Sequence, residues 1–286
     1  MLDLHSASLD VITDWLEVTA LALHPSPLSR NRAVQLGETI ANLSEHQVEQ
    51  GFHRMGTRGN QIGQFYPFKV THEYVLADAN KLSSAYATML AVTPGSALRS
   101  VQAWKMDYSA KIFELAAEHC LRTFYGAGTN AVNFGHPSSV GRPPEFGKAV
   151  QWIAEKMGVR LGSGYRDPRR KDGGVDIFVW KAFADSNPGV PLLLVQCTIQ
   201  DNFLTKISDI DTRLWASWLS SDIDPMVALC VPNYVTRRQD WDEITTRGLL
   251  LDRQRLCQLE ESLFALTGPQ EAYIKQMYGQ YADWCK

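Results

Sequence analysis

Residues 172–206 read DGGVDIFVWKAFADSNPGVPLLLVQCTIQDNFLTK, and the reading of this stretch decides the fold. Asp172-Gly173-Gly174 predicts a turn, because glycine takes up backbone angles that side chains resist. Ile177-Phe178-Val179-Trp180 follows as a β-branched and aromatic run, which reads as a strand and puts Asp176 at its start. Residues 185–189, DSNPG, gather turn formers and join this strand to a second one. Leu192-Leu193-Leu194-Val195 is apolar on both faces, as expected of a strand at the centre of its sheet. Gln196 then breaks the apolar run. Side chains alternate along a strand, so Gln196 and Thr198 share one face and Cys197 takes the other. An acid at the head of one strand and a polar pair at the tail of its neighbour can converge on a hard cation such as Mg²⁺, which takes oxygen ligands.

These residues carry a resemblance. DGGVD, a turn and VQCT are similar to the GDGGID and VQCK segments of Mrr-type restriction endonucleases, which belong to the PD-(D/E)xK nuclease superfamily. The resemblance implies that Asp176 and Gln196 are catalytic and hold the metal, Mg²⁺ or Mn²⁺, and that the backbone carbonyl of Thr198 adds a ligand. In the superfamily a lysine two residues after the strand acid orients the attacking water; here Thr198 stands in its place. Some members supply the cation from the following helix, and Lys206, ten residues after Gln196, is the expected catalytic substitute. A looser group of bacterial proteins, with QCA, an Asn-Trp pair and a lysine at about this distance, is also similar to the stretch from Gln196 through Asn202-Phe203 to Lys206. The alternative is a site that no longer cuts and a fold that only binds.

The segment PPEFGKAVQWIAEKMG, with a helix over 145–157, resembles the GxEFE helix that opens an Mrr-type domain. The family's glutamate on this helix often completes the metal site, which makes Glu145 a further catalytic candidate, although Gly147 holds the position after the phenylalanine. Its bland reading is an acid complementing the helix dipole. Residues 158–161 are expected to begin the first strand of the sheet. The loop after them carries Arg166, Arg169, Arg170 and Lys171 within six positions. Cations beside a metal-binding acid are well placed to hold a phosphate backbone; the bland reading is a solvated loop. Beyond Lys206 a helix is expected to run to about 219, with strands over 226–231 and 249–252. A helix, three strands, a helix and further strands give the αβββαβ order of the nuclease core.

The 286 residues, 45% apolar and 21% charged, are those of an ordinary globular chain long enough for two domains. The net charge of −3 argues against bulk attraction to nucleic acid, so any DNA contact needs a local basic patch. The five cysteines are widely spaced with no CxxC pair, which points to reduced thiols in the cytoplasm rather than zinc or disulfides. The start of the chain has no basic residue ahead of an apolar run, and no apolar stretch is long enough to cross a bilayer, so neither export nor a membrane span is expected.

Before the nuclease-like half, helices are expected over 8–23, 29–41, 44–55, 78–92 and 107–125, with a loop over 56–63 and an extended segment over 64–70. Ser44 and Gln47 form a capping-box pattern. Glu114 and Glu118 read as an ordinary i,i+4 pair, and the single histidines His46, His53, His72 and His119 as packed or solvated residues. A proline- and glycine-rich connection over 133–144 places the domain boundary, giving a mostly helical domain over 1–135 and the nuclease-like domain over 136–286. A C-terminal helix over 260–284, broken at Gly268-Pro269, carries an aromatic stripe that could dock on the N-terminal helices or on a second copy of the chain.

The fold class expected is therefore α/β, α+β overall, with a helical N-terminal region, a restriction-endonuclease-like core and a C-terminal helix. There is no GxxxxGK[ST], GxSxG or HExxH motif and no usable dinucleotide fingerprint, so an NTPase, a serine hydrolase and a zinc protease lack support. The function expected is Mg²⁺-dependent hydrolysis of DNA phosphodiesters in restriction or antiphage defence, with a separate ATPase, helicase or sensor subunit as the expected partner. The alternative is a nuclease-fold subunit that binds nucleic acid or protein without cutting.

Overall fold

The local signals for helix initiation act where the sequence puts them. In the computed structural model, Ser8 caps α1 (Leu9–Ala22) by accepting from Val11 N, and Ser44 with Gln47 closes the capping box of α3 (Glu45–Ile62), after β1 (Leu28–Ser29) and α2 (Arg30–Leu36). All residues are described except Met1, Ser83, Ser139, 186–188, 221–222 and 237–238; the side chains of Gln239 and Asp240 are also outside the description. The middle of the DSNPG turn falls among the residues left out.

The chain forms two compact units. One comprises Met1–Phe113, Pro232–Tyr234 and Ser262–Lys286; the other comprises Glu114–Val231 and Val235–Glu261. In the first, α3 continues through Gly56 and Gly59, where a loop is expected from the glycines. Each glycine costs a helix about 1 kcal/mol relative to alanine. Packing overrides that cost: Arg58 is fully buried with its guanidinium on Asp14 and Glu17, and the bare Gly59 lets the Tyr66 ring approach, a Cβ there lying 3.2 Å from it. The strands β2 (Phe68–Val70) and β3 (Tyr74–Ala77) pair antiparallel, with β1 on the other side of β3. Next come α4 (Ala85–Val92), shorter than expected, and α5 (Met106–Leu121).

The second unit is built on a five-stranded sheet. After α5 come β4 (Thr129–Asn133), α6 (Phe146–Met157), β5 (Ile177–Lys181), β6 (Leu192–Cys197), α7 (Thr212–Leu219), β7 (Met226–Cys230), α8 (Gln239–Thr245), β8 (Leu249–Leu251) and α9 (Arg253–Gln258). The strands lie in the order β4-β5-β6-β7-β8; β4, β5 and β6 run antiparallel, and β6, β7 and β8 are parallel. The fold is mixed α/β. Phe146 and Ile153 of α6 and Trp215 and Trp218 of α7 pack in one core with Phe178 and Leu194 of the sheet. The last helix, α10 (Gly268–Trp284), belongs to the first unit; Thr267 supplies its capping box, and Tyr281 meets Thr19 of α1 at 3.2 Å.

Three local expectations change. Residues 158–161 form no strand: Gly158, with φ +70°, ends α6, and the N–H groups of Gly162 and Gly164 bond to the carbonyls of Trp218 and Ser217 at the end of α7. The strand before β5 is instead β4, which ends two residues before the expected boundary at 135/136 and pairs with β5 from Thr129↔Lys181 to Asn133↔Ile177. Finally, no single helix runs from Lys206 to 219. Residues Lys206–Asp209 form a 3₁₀ turn, Ile210 is extended, and Asp211 caps a new start by accepting from Arg213 N and Leu214 N.

Candidate functional site

The turn Asp172-Gly173-Gly174 is clamped before it delivers Asp176. Gly173 and Gly174 have φ of +65° and +81°, and a Cβ on Gly174 would lie 2.4 Å from the carbonyl oxygen of Asp209, so only glycine fits. Asp172 Oδ1 accepts from Gly174 N, and Trp215 Nε1 donates to Gly173 O at 3.2 Å. Arg142, a buried residue of the loop after β4, donates to the carbonyls of Lys171 and Pro143 and stacks over Phe134 at 4.4 Å. Burial lowers the Arg142 pKa, against the opposing charge of Asp172. The turn is therefore rigid on the side that leads into β5.

Asp176 is half-buried and held at three points. Its N–H donates to Val195 O, its carbonyl accepts from Phe134 N and Gly135 N, and its Oδ2 accepts from the backbone N–H of Cys197 at 2.7 Å. A second carboxylate arrives from α5: Glu114 Oε2 accepts from Asn133 Nδ2 at 3.0 Å. The two acids meet over Gly135. A Cβ placed on Gly135 would lie 3.1 Å from Glu114 Oε2 and 3.3 Å from Asp176 Oδ1, so the missing side chain leaves a small cradle that both oxygens face. The Cys197 thiol is close by; burial pushes its pKa well up, reinforced by the Cys230 thiol and by the charges of Asp176 and Glu114.

Gln196 occupies the adjoining position on β6. It is 9% exposed, its Nε2 donates to Asp209 Oδ2 at 3.0 Å, and Lys206 Nζ lies 3.4 Å from the same oxygen. A carboxylate only accepts hydrogen bonds, so Asp209 fixes which end of the amide is nitrogen. The other end, Oε1, is buried and has no hydrogen-bond partner. Such an atom is costly to leave bare and suits an incoming donor or cation.

The residues expected from sequence thus separate into groups. Asp176 and Gln196 sit on neighbouring strands, one residue beyond the registered pair Ile177↔Val195, and Lys206 reaches the Gln196 amide through Asp209. Thr198 is buried; its N–H donates to Cys230 O and its hydroxyl accepts from Gln200 N. Glu145 is not among them: it is exposed at the start of α6 and pairs with Lys148 at 3.0 Å. Of the basic loop, Arg166 turns inward to the carbonyls of Gly162 and Trp218, whereas Arg169, Arg170 and Lys171 are exposed. Arg169 pairs with Asp167, and the Arg170 guanidinium lies 5.2 Å from the Trp218 ring.

Glu114, Gly135 and Asp209 were not singled out by the sequence as site residues. Their only local signal is weak: Glu114 sits three residues after Lys111 and four before Glu118, the spacing of a solvated helix face. Among the described residues no three His, Cys, Asp or Glu side chains gather as a metal-binding group. The donor set here is two carboxylates and an amide oxygen, which is the oxygen chemistry that Mg²⁺ or Mn²⁺ takes. No family model, curated protein or solved structure matches the chain.

Proposed function

We propose that this protein is a divalent-metal-dependent phosphodiesterase that cuts DNA, with the second unit as a restriction-endonuclease-like core whose order α5-β4-α6-β5-β6-α7-β7 is read as αβββαβ with α6, the helix expected to open the core, inserted between its first two strands. The observation that carries the reading is the cradle over Gly135, where Glu114 and Asp176 from different elements present carboxylate oxygens to one small space. Two carboxylates from different elements offer oxygen donors of the kind a hard divalent cation takes. Asp176 and Glu114 would hold the metal, with Gln196 Oε1 as an amide donor from the next strand. A bound Mg²⁺ or Mn²⁺ supplies Lewis acidity toward a phosphoryl oxygen and lowers the pKa of its water.

The chain's own groups have separate tasks. The Cys197 N–H orients Asp176, and Asn133 orients Glu114. Asp209 keeps the Gln196 oxygen turned away from itself. Lys206, which meets the same Asp209 oxygen as the Gln196 amide, takes the place of the lysine that Thr198 replaces, stabilising charge on the phosphate. Arg169, Arg170 and Lys171 are the exposed cations of the loop that runs into the Asp172 turn, suited to the flanking phosphates. Restriction or antiphage defence in the cytoplasm, with an ATPase, helicase or sensor subunit as partner, is the setting the resemblance implies.

One observation favours the second reading, a subunit of this fold that binds without cutting: Lys206 Nζ already has a carboxylate partner. Cleavage of supercoiled plasmid and of single-stranded DNA and RNA, with Mg²⁺ or Mn²⁺, separates the two readings. The nuclease is expected to cut in the native form and to lose cutting in Asp176→Ala and Glu114→Ala. Cutting that survives both substitutions sinks the assignment. Native protein that binds Mn²⁺ in neither calorimetry nor electron paramagnetic resonance, and cuts nothing, leaves the binding subunit.

A further inference from the structure

Tyr165 is 80% exposed, the most exposed of the large apolar and aromatic side chains among the described residues. The chain around it is nevertheless tightly held. Gly162 N donates to Trp218 O at 2.7 Å, Gly164 N donates to Ser217 O at 3.1 Å, and Trp218 Nε1 donates back to Tyr165 O at 2.8 Å. A Cβ on Gly162 would lie 2.1 Å from the Ser217 carbonyl oxygen, and one on Gly164 2.3 Å from Ser217 Oγ, so both glycines allow a backbone contact that a side chain would block. The inward Arg166 guanidinium closes the arrangement on Gly162 O and Trp218 O. The loop backbone is clamped to α7 at Gly162, Gly164 and Tyr165, while the Tyr165 ring projects into water.

Its neighbours are cationic. Residues 160–172 hold five Arg or Lys and two Asp, in a chain whose net charge is −3. The Arg169 side chain is 90% exposed, Arg170 and Lys171 are exposed, and the Arg170 guanidinium lies 5.2 Å from the ring of the buried Trp218. An aromatic face presented on a fixed backbone beside solvent-facing guanidinium groups loses little entropy when a flat partner lands on it. Every nucleobase offers such a flat face, and the phosphates on either side suit the cations. In a duplex that face is already covered by the neighbouring bases; in a single strand it is open.

We propose that Tyr165 stacks an unpaired base and that residues 162–171 form a binding site for single-stranded nucleic acid, with Arg169, Arg170 and Lys171 on the phosphates and Arg166 as the internal brace. This rests on the nucleic-acid reading of the protein and narrows it to a substrate with an unpaired segment. The test is fluorescence anisotropy without divalent metal, using labelled oligothymidylate of about twenty nucleotides and a hairpin duplex of the same length; base–aromatic stacking sets the expected size of the effect.

The native chain is expected to bind the single strand more tightly than the hairpin. Tyr165→Ala should weaken single-strand binding by about 5- to 100-fold while leaving the hairpin unchanged. Tyr165→Trp and Tyr165→Phe should retain binding, because the ring carries it and not the hydroxyl. The ring is exposed, so circular dichroism and the melting temperature of Tyr165→Ala should match the native chain and exclude a folding defect. Single-strand binding that is indifferent to Tyr165→Ala, or a hairpin bound as tightly as the single strand, overturns this inference alone. Binding of neither probe overturns it together with the nucleic-acid partner of the proposed function.

Discussion

Asp10, Asp14 and Glu17 on α1 and Glu114 and Asp176 in the second unit are both gatherings of acids, and they are treated in opposite ways. In the first unit the cluster is sealed. Arg58, fully buried, reaches Asp14 at 2.6 Å, Glu17 at 3.1 Å and Asp10 at 3.1 Å, while Tyr66 and Tyr86 donate to the oxygens of Glu17. Burial would lower the Arg58 pKa, but the charges of Glu17 and Asp14 outweigh it and hold it well above its ordinary value. Burial, then the charge of Glu17, pushes both tyrosines well up, so they stay protonated donors. In the second unit the acids flank a space that glycine leaves open, and the neighbouring amide oxygen is buried without a partner. In the first unit an arginine between the acids makes the cluster structural; in the second, two acids converge on a glycine beside a buried amide oxygen, oxygen donors of the kind a hard cation takes.

The comparison breaks first at Arg58. Arg58→Ala removes the counter-charge and leaves buried carboxylates, which costs about 3–5 kcal/mol; denaturant unfolding should show the loss, and a shift under 1 kcal/mol would mean that the cluster is not the sealed ion network described. Its pH dependence has a definite sign. Burial would raise the Asp10 pKa, but Arg58 and Arg54 hold it below its ordinary value. The stability it contributes is therefore present above the unfolded pKa and is lost as pH falls through the lower folded one, in the acid range below about pH 4. Asp10→Asn should flatten that part of the stability profile and leave the profile near neutrality with the same slope.

The open cluster is sharpened by filling it. Gly135→Ala puts a methyl group 3.1 and 3.3 Å from the two carboxylate oxygens, tighter than ordinary contact, without a backbone penalty since Gly135 is not among the positive-φ glycines. Mn²⁺ affinity measured by calorimetry should fall by about 10- to 100-fold, the range for disturbing the surroundings of a metal site, while the melting temperature moves little. Unchanged Mn²⁺ binding would remove the cradle from the site. Asp209→Ala is expected to act one step further out: the Gln196 amide, released from its anchor, can turn, and affinity should drop by about tenfold. An Asp209→Asn variant that behaves like Asp209→Ala would show that the carboxylate, and not merely a side chain of that size, orients the amide.

What the sequence disclosed and withheld follows the same division between near and far interactions. The strands around Asp176 and Gln196 were legible because turn glycines, β-branched runs and alternation are local signals, and the caps at Ser8 and Ser44 were legible for the same reason. Strand β4 was hidden: only Ala131 and Asn133 of its five residues are buried, and its pairing partner β5 lies more than forty residues on. Glu114 was hidden by its helix, since the Glu114–Glu118 spacing is that of a solvated face and only tertiary packing turns one of the two toward Asp176. The GxEFE-like helix drew attention to Glu145 because its motif is local, whereas the acid that meets Asp176 comes from the preceding helix.

That last contrast gives the smallest expected effect and a clean separation. Glu145 and Lys148 are an exposed i,i+3 pair, with side chains 67% and 68% exposed, and such pairs contribute at most a few tenths of a kcal/mol. Glu145→Gln should therefore shift unfolding by less than about 0.5 kcal/mol and leave both Mn²⁺ affinity and plasmid cleavage at native levels. Glu114→Gln, isosteric and at the other candidate glutamate, should keep the hydrogen-bonding shape toward Asn133 but weaken Mn²⁺ binding, because a neutral amide replaces one of the two charges at the cradle. If the two substitutions exchange these outcomes, the metal-binding glutamate belongs to α6, and the role given to α5 falls with it.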